Sequence, residues 1–258
     1  MYLMYCTLQT SKCCFIALIL VFVGCKKPPP TPVQLDTALE THFLLIQEGK
    51  TGSARVRLRQ YMDKHGDTSE PLFLMGLSYH HDKLYSKAIE WLEKAVSVEN
   101  PGSVFYDPTW HFLGWSYFYV GNAKSSREAF HQFLNLHPNE GDTLFALGLL
   151  ASEEGDSAES QQLLLRAIAA PNTNVSIQAK ARARLADLYA EEGNWQDAIR
   201  LYSEAVKENP DLYEAWYRMA QALHRTGQFE DATDAMMQFE RARLRVRPAI
   251  GNPTRFPE

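Results

Sequence analysis

The sequence predicts an all-α solenoid of six stacked helix pairs, and three observations carry that prediction. From Leu35 to Val246 the chain repeats with a period of 34 residues. Small side chains recur at two fixed places in the period, in all six units at one and five of six at the other, and glycine recurs in five of six at a third, between two helical stretches. The composition agrees: of 258 residues, 45% are hydrophobic and 22% charged, as in an ordinary folded domain. A formal net charge of −5 gives the chain as a whole no electrostatic footprint for nucleic acid. Cys6, Cys13, Cys14 and Cys25 all precede the repeats, which therefore hold no thiol for a disulfide, a zinc site or a nucleophile.

The N-terminal segment reads as a targeting signal. Lys12 is the one charged residue before an apolar run from Cys13 to Val23, followed by Gly24-Cys25 and then Lys26-Lys27 and prolines. The run falls short of the roughly 20 apolar residues a membrane-spanning helix needs. Phe22-Val23-Gly24-Cys25 resembles the lipobox of bacterial lipoproteins, with Phe22 where that family usually has leucine. The resemblance implies removal of residues 1–24, a lipid on Cys25 and an envelope location facing the periplasm. An ordinary secretory signal, leaving a soluble periplasmic or secreted protein, and an uncleaved anchor are the alternatives. Cleavage would remove Lys12 and take the net charge from −5 to −6. Residues 25–34 are proline-rich, favour an extended conformation, and would act as a stalk of roughly 25–30 Å.

The units follow in order. In the first, 35–68, Gly49 separates two helices, the second carrying Ala54 and Leu58; His42 and Thr41 make this unit divergent, a candidate cap. The second, 69–102, has Gly76, Ala88 and Leu92, with Lys83 in place of the turn glycine. In the third, 107–140, Trp110, Leu113, Gly114 and Tyr117 share one helix face. Gly121 ends that helix, Ser126, Phe130 and Phe133 lie on the next, and Pro138 stops it. The fourth, 141–174, has Gly148, Gly155, Ser160 and Leu164. The fifth, 179–212, has Ala186, Gly193, Ala198 and Tyr202, with Arg182 where a large apolar residue is expected. The sixth, 213–246, has Ala220, Gly227, Ala232 and Met236. The small columns mark close contact between the helices of a pair, and the column from Leu58 to Met236 is expected to fill the space between units. Ser103–Tyr106 and Val175–Gln178 are insertions expected in loops between units. The tail, 247–258, with Pro248, Pro253 and Pro257, cannot form a closing helix; it lies across the last pair, or two copies meet there.

The series Trp, Leu-Gly, Tyr, small, aromatic, Pro over 34 residues resembles the tetratricopeptide repeat (TPR) family. That resemblance implies a right-handed solenoid whose first helices line a concave groove, a protein or peptide partner, and neither catalysis nor a cofactor. The groove positions are Phe73, Leu77, His80 and His81 in the second unit, and His111, Trp115, Phe118 and Tyr119 in the third. Phe145 and Leu149 follow in the fourth, and Tyr217, Gln221, His224 and Arg225 in the sixth. The middle of this set is aromatic, the chemistry of binding hot spots. One branch of the family clamps a terminal carboxylate with Lys and Asn. His111, Trp115, Phe145 and Leu149 stand at those positions here, so that ligand is not indicated.

Other chemistry finds little footing. Gly49-Lys50-Thr51 resembles the end of a phosphate loop, but Leu44 occupies the place of its first glycine and no strand precedes it. His80, His81 and His111 could approach one another, but adjacent helix positions diverge by roughly 100°, which suits a shared metal poorly. Glu153-Glu154 and Glu191-Glu192 read as solvated helix ends. The sequence thus points to a non-catalytic, membrane-tethered adaptor. A carbohydrate- or peptidoglycan-binding module and an accessory subunit of an envelope enzyme are the alternatives, and self-association through the last unit is a further expectation.

Overall fold

The computed structural model describes residues 36–98, 105–171 and 173–247. These belong to one unit of the chain. The signal, Cys25, the proline-rich stalk, half of the first insertion and nearly all of the tail lie outside them. Twelve α-helices follow one another: α1 (Thr37–Gln47), α2 (Thr51–His65), α3 (Ser69–His81), α4 (Tyr85–Ser97), α5 (Tyr106–Tyr119) and α6 (Ala123–Leu136), then α7 (Gly141–Glu153), α8 (Ser157–Ala169), α9 (Val175–Glu191), α10 (Trp195–Glu208), α11 (Tyr213–Arg225) and α12 (Phe229–Val246). No strand occurs among the described residues. The helices pair in sequence, α1 with α2 through α11 with α12, as the repeat predicts.

One turn joins the helices of every pair. Gly49, Gly121, Gly155, Gly193 and Gly227 all have φ between 74° and 82°, the left-handed region open to glycine. In each turn that residue and the next donate backwards, as in Gly121 N–H to Phe118 O (3.0 Å) and Asn122 N–H to Tyr117 O (2.9 Å), satisfying the last carbonyls of the first helix. Lys83 makes the same two bonds with its neighbour and is driven to φ 60°. Side chains then cap the second helices: Asn122, Asp156 and Asn194 accept from the N–H groups of Ser125, Glu159 and Asp197.

Glycine and small residues let the paired helices touch. A Cβ added to Gly76 would stand 2.6 Å from Leu92 Cγ, and one on Gly114 2.5 Å from the ring of Phe130. One turn earlier on the second helix, the Ser126 hydroxyl donates to Gly114 O (2.9 Å) and that of Ser160 to Gly148 O (2.8 Å). Leu92, Phe130 and Leu164 therefore pack on the glycines of their own pair as well as between units. The next unit completes their burial: this column is at most 2% exposed from Leu58 to Tyr202, whereas Met236 in the last unit is 38% exposed. His42, in the glycine column of the first unit, is buried, with Nδ1 unpartnered in the structure; burial first, and then the charge of Arg57, lowers its pKa.

One sequence expectation changes. Val175–Gln178 is not a loop but the first turn of α9, which Asn174 caps by accepting from Ser176 N–H (2.7 Å). The insertion lengthens a helix, with Ile177 and Gln178 N–H donating to Asn174 O, and the Gln178 side-chain amide donates to Ile168 O (3.2 Å) to hold the new turn against α8. Arg182, in the apolar column of the fifth unit, is neutralised by Glu208 (2.7 Å) and Glu204 (3.5 Å) from α10.

Candidate binding surfaces

The predicted groove residues separate into two groups. In the middle of the array the helices close over several of them. Phe73 is 1% exposed, stacked on Phe105 at 4.5 Å and tilted against Phe112 at 5.9 Å. Leu77 and Phe145 are also buried. These three are core residues, because neighbouring first helices approach closely enough to cover positions that a wider groove would leave open.

His111, Trp115 and Phe118 are half-buried and knitted together. His111 Nδ1 lies 3.0 Å from Thr143 Oγ1 and its Nε2 3.3 Å from Asp142 Oδ2. Trp115 Nε1 donates to the same carboxylate oxygen at 3.3 Å, and its ring meets Phe118 and Phe130 edge-on. Tyr119 is 52% exposed but stacks on both Tyr85 (4.4 Å) and Trp115 (5.7 Å). His80 Nδ1 lies 2.9 Å from Ser116 Oγ, and burial, with His111 and His81 nearby, lowers its pKa to about 4. Its imidazole is neutral at pH 7. Both nitrogens of His111 have protein partners, and no group of three potential metal ligands occurs among the described residues. Leu149, beside this cluster, is half-buried against the core.

The second group is open. Tyr217, Gln221, His224 and Arg225 are exposed on α11, and all but the first turn of that helix faces a cleft of about 1010 Å³ formed by α9, α10, α11 and α12. Trp195 from α10 and Phe229 and Met236 from α12 supply its apolar walls. The Arg225 guanidinium lies 5.0 Å over the Trp195 ring, and His224 meets Phe229 edge-on at 5.1 Å. On the α9 side Asp187 accepts from the Tyr202 hydroxyl (2.6 Å) and binds Arg184 and Arg218 (3.2 Å each). Burial, and then the charge of Asp187, pushes the Tyr202 phenol far above its ordinary pKa, so it stays a donor.

Sequence reasoning placed Tyr217, Gln221 and Arg225 together but missed Trp195, Phe229, Met236 and Asp187. The signal was present in one column: the first position of the second helix is Thr51, Ala123 or Ser157 in three units, but Tyr85, Trp195 and Phe229 in the others. Met236, in the column that the next unit covers elsewhere, stays open on this cleft, whereas Tyr202 in the unit before is buried.

Paired helices, a shared left-handed turn and a glycine seam define a helix-pair solenoid, with open apolar surface at its last unit. Profiles of the tetratricopeptide repeat match residues 69–100, 113–174 and 189–238. The chain is a tetratricopeptide repeat protein; such repeats are scaffolds for binding proteins or peptides and are typically non-catalytic. Among solved structures, PilF of Pseudomonas aeruginosa is similar with a TM-score of 0.64 at 14% identity, covering 82% of this chain and 93% of that one. PilW, described as a type IV pilus biogenesis factor, gives 0.57 at 19% identity over 67% and 77% of the two chains. YrrB, described as a TPR protein with an unusual peptide-binding site, gives 0.54 at 15% identity over 75% and 93%. At these identities the likeness concerns the fold. No curated protein matches the sequence significantly.

Proposed function

We propose that this protein is a non-catalytic adaptor that holds a segment of a partner protein in the cleft between α9 and α12, while tethered to a bacterial envelope on its extracytoplasmic side. The observation that carries the binding reading is the cleft itself. Its volume of about 1010 Å³ suits several side chains, and its aromatic walls with a few polar groups match the usual make-up of a recognition pocket. Trp195, Tyr217 and Phe229 offer contact area at little cost in side-chain freedom, and Arg225 presents its charge beside them. A peptide with an apolar side chain next to a carboxylate fits this chemistry. The peptide-binding site named for YrrB supports this use of the fold.

The tether rests on the sequence alone: the lipobox-like Phe22-Val23-Gly24-Cys25, the short apolar run before it and the proline-rich stalk after it. A lipid on Cys25 would anchor the chain, and no described helix is long and apolar enough to cross a membrane. Sugar binding finds less support in the central aromatics, because a sugar stacks on a ring face and Tyr119 already stacks on Tyr85 and Trp115. An accessory role beside an envelope enzyme would use the same cleft with that enzyme as partner.

Affinity capture with in-cell cross-linking tests the reading, comparing the full tagged chain with Tyr217→Ala/Arg225→Ala and Trp115→Ala/Phe118→Ala, each checked for folding by circular dichroism. The expected result is a partner lost by the first variant and kept by the second. Loss with the second alone would move recognition to the central cluster. Retention by both would sink the cleft reading.

A further inference from the structure

Helix α12 carries more uncovered apolar surface than its position in the repeat explains. Phe229, Met236, Met237, Leu244 and Val246 are 61%, 38%, 47%, 52% and 47% exposed. The inner face of the helix, with Ala232, Ala235 and Ala242, is buried. Met237 and Leu244, seven residues apart, fall on the outer face, away from the cleft that Phe229 and Met236 line. The open end is partly polar: Glu240 and Arg243 stand where the fifth unit has Val206 and Asn209, and they pair with each other at 2.7 Å.

The charges of α12 are segregated. From Phe229 to Gln238 the helix has Glu230, Asp231 and Asp234 and no base; from Phe239 to Arg247 it has Arg241, Arg243, Arg245 and Arg247 against Glu240. The helix dipole accounts for acids in the first turn and bases in the last, but its influence fades within a turn, and Asp234 and Arg241 lie further in. Pairing within the helix does not account for them either. Glu230 and Asp234 are like charges four residues apart, as are Arg241 and Arg245, an arrangement that costs stability in a helix on its own. Neither Asp234 nor Arg241 has an ion pair among the described residues.

We infer that α12 is an interface between two copies of this chain, packed antiparallel about a two-fold axis near the midpoint of Met237 and Gln238. Asp234 and Arg241 stand equally far on either side of that midpoint, and so do Glu230 and Arg245. Seven residues apart, Asp234 and Arg241 share one flank of the helix. In an antiparallel two-fold pair each flank meets its own copy reversed, so Asp234 faces Arg241 of the second copy twice over, and Glu230 faces Arg245. Met237 and Leu244 then lie in the seam beside these charges. Arg245 already binds Asp211 at 2.8 Å, an exposed pair of little strength that exchange can replace, so Asp234 and Arg241 are the diagnostic residues. The interface is self-complementary, as a closed dimer requires, and it uses the outer face of α12, whereas peptide binding uses the cleft toward α11.

Native mass spectrometry of the full chain, released from a mild detergent, tests this. The parent is expected to be a dimer. Asp234→Arg alone and Arg241→Asp alone each place like charges together at both contacts and should weaken the dimer about ten-fold or more. An equimolar mixture of the two variants restores both pairs, so a mixed dimer, identified by its intermediate mass, should reappear with parent-like strength. A parent that stays monomeric at every concentration, its face covered by residues 248–258 or left open, would overturn the inference. So would a dimer that neither reversal weakens, or a mixture that stays monomeric while both variants remain folded.

Discussion

Replacing Gly114 with alanine puts the seam between paired helices under a direct load. The added Cβ would stand 2.5 Å from Cδ1 and Cε1 of Phe130 and 2.9 Å from its Cγ. Comfortable carbon contacts lie near 3.5–4.0 Å, so the ring must retreat by about 1 Å. It has nowhere to go: Phe130 is fully buried, with Trp115 edge-on at 5.5 Å. Overpacking of this kind costs about 1–3 kcal/mol. Alanine is the better helix former by about 0.8–1.0 kcal/mol. The balance is a loss of about 1 kcal/mol, reaching about 2 if the ring is forced off its rotamer. Gly148, in the same column, serves as the control. Its Cβ would come no nearer than 3.0 Å to the Leu164 side chain, a branched chain that can shift, so Gly148→Ala should stay within about 0.5 kcal/mol of the parent. Urea denaturation of both variants, followed by far-UV circular dichroism, separates the two cases through the midpoint. A higher midpoint for Gly114→Ala, or equal shifts for both variants, would refute the claim that glycine is there for close approach. Helix propensity would then be the controlling term.

Lys83→Gly should stabilise the chain by about 1 kcal/mol, because Lys83 is the one described non-glycine residue held at positive φ, and a left-handed L-residue costs roughly that much; an unchanged or lower urea midpoint would contradict this. His80 adds a pH dependence. Its folded pKa of about 4 lies below the unfolded value of 6.5, so the unfolded chain binds more protons between those limits. Stability from this group is fully present above about pH 6.5 and is lost as pH falls toward 4, by on the order of 3 kcal/mol. The difference between parent and His80→Gln in thermal midpoint should therefore shrink or reverse over that range, and a constant difference would remove His80 as the cause.

The number of helices, their pairing and their turns were legible in the sequence because each depends on local stereochemistry. Gly121 can take a left-handed turn whatever surrounds it, and Ser126 and Gly114 recur where two neighbouring helices must touch. Even Lys83, the exception in the turn column, adopts the conformation its column requires, since the backbone bonds of the turn outweigh the strain on one residue. What periodicity cannot supply is how closely one pair approaches the next. Phe73 and Phe145 occupy the same register as Tyr217, yet the first two are core and Tyr217 is open. Their side chains are of similar character; the difference is that further helices close over the middle of the array and none of those described covers the outer side of α11 and α12. The four residues Val175–Gln178 show the same limit, since only the packing of α9 against α8 makes a helical turn better than a loop there. Sequence alone determined the repeating unit, because its rules act within one helix pair; the tertiary structure decided which surfaces remain for a partner, because exposure is set by the neighbour each pair has or lacks.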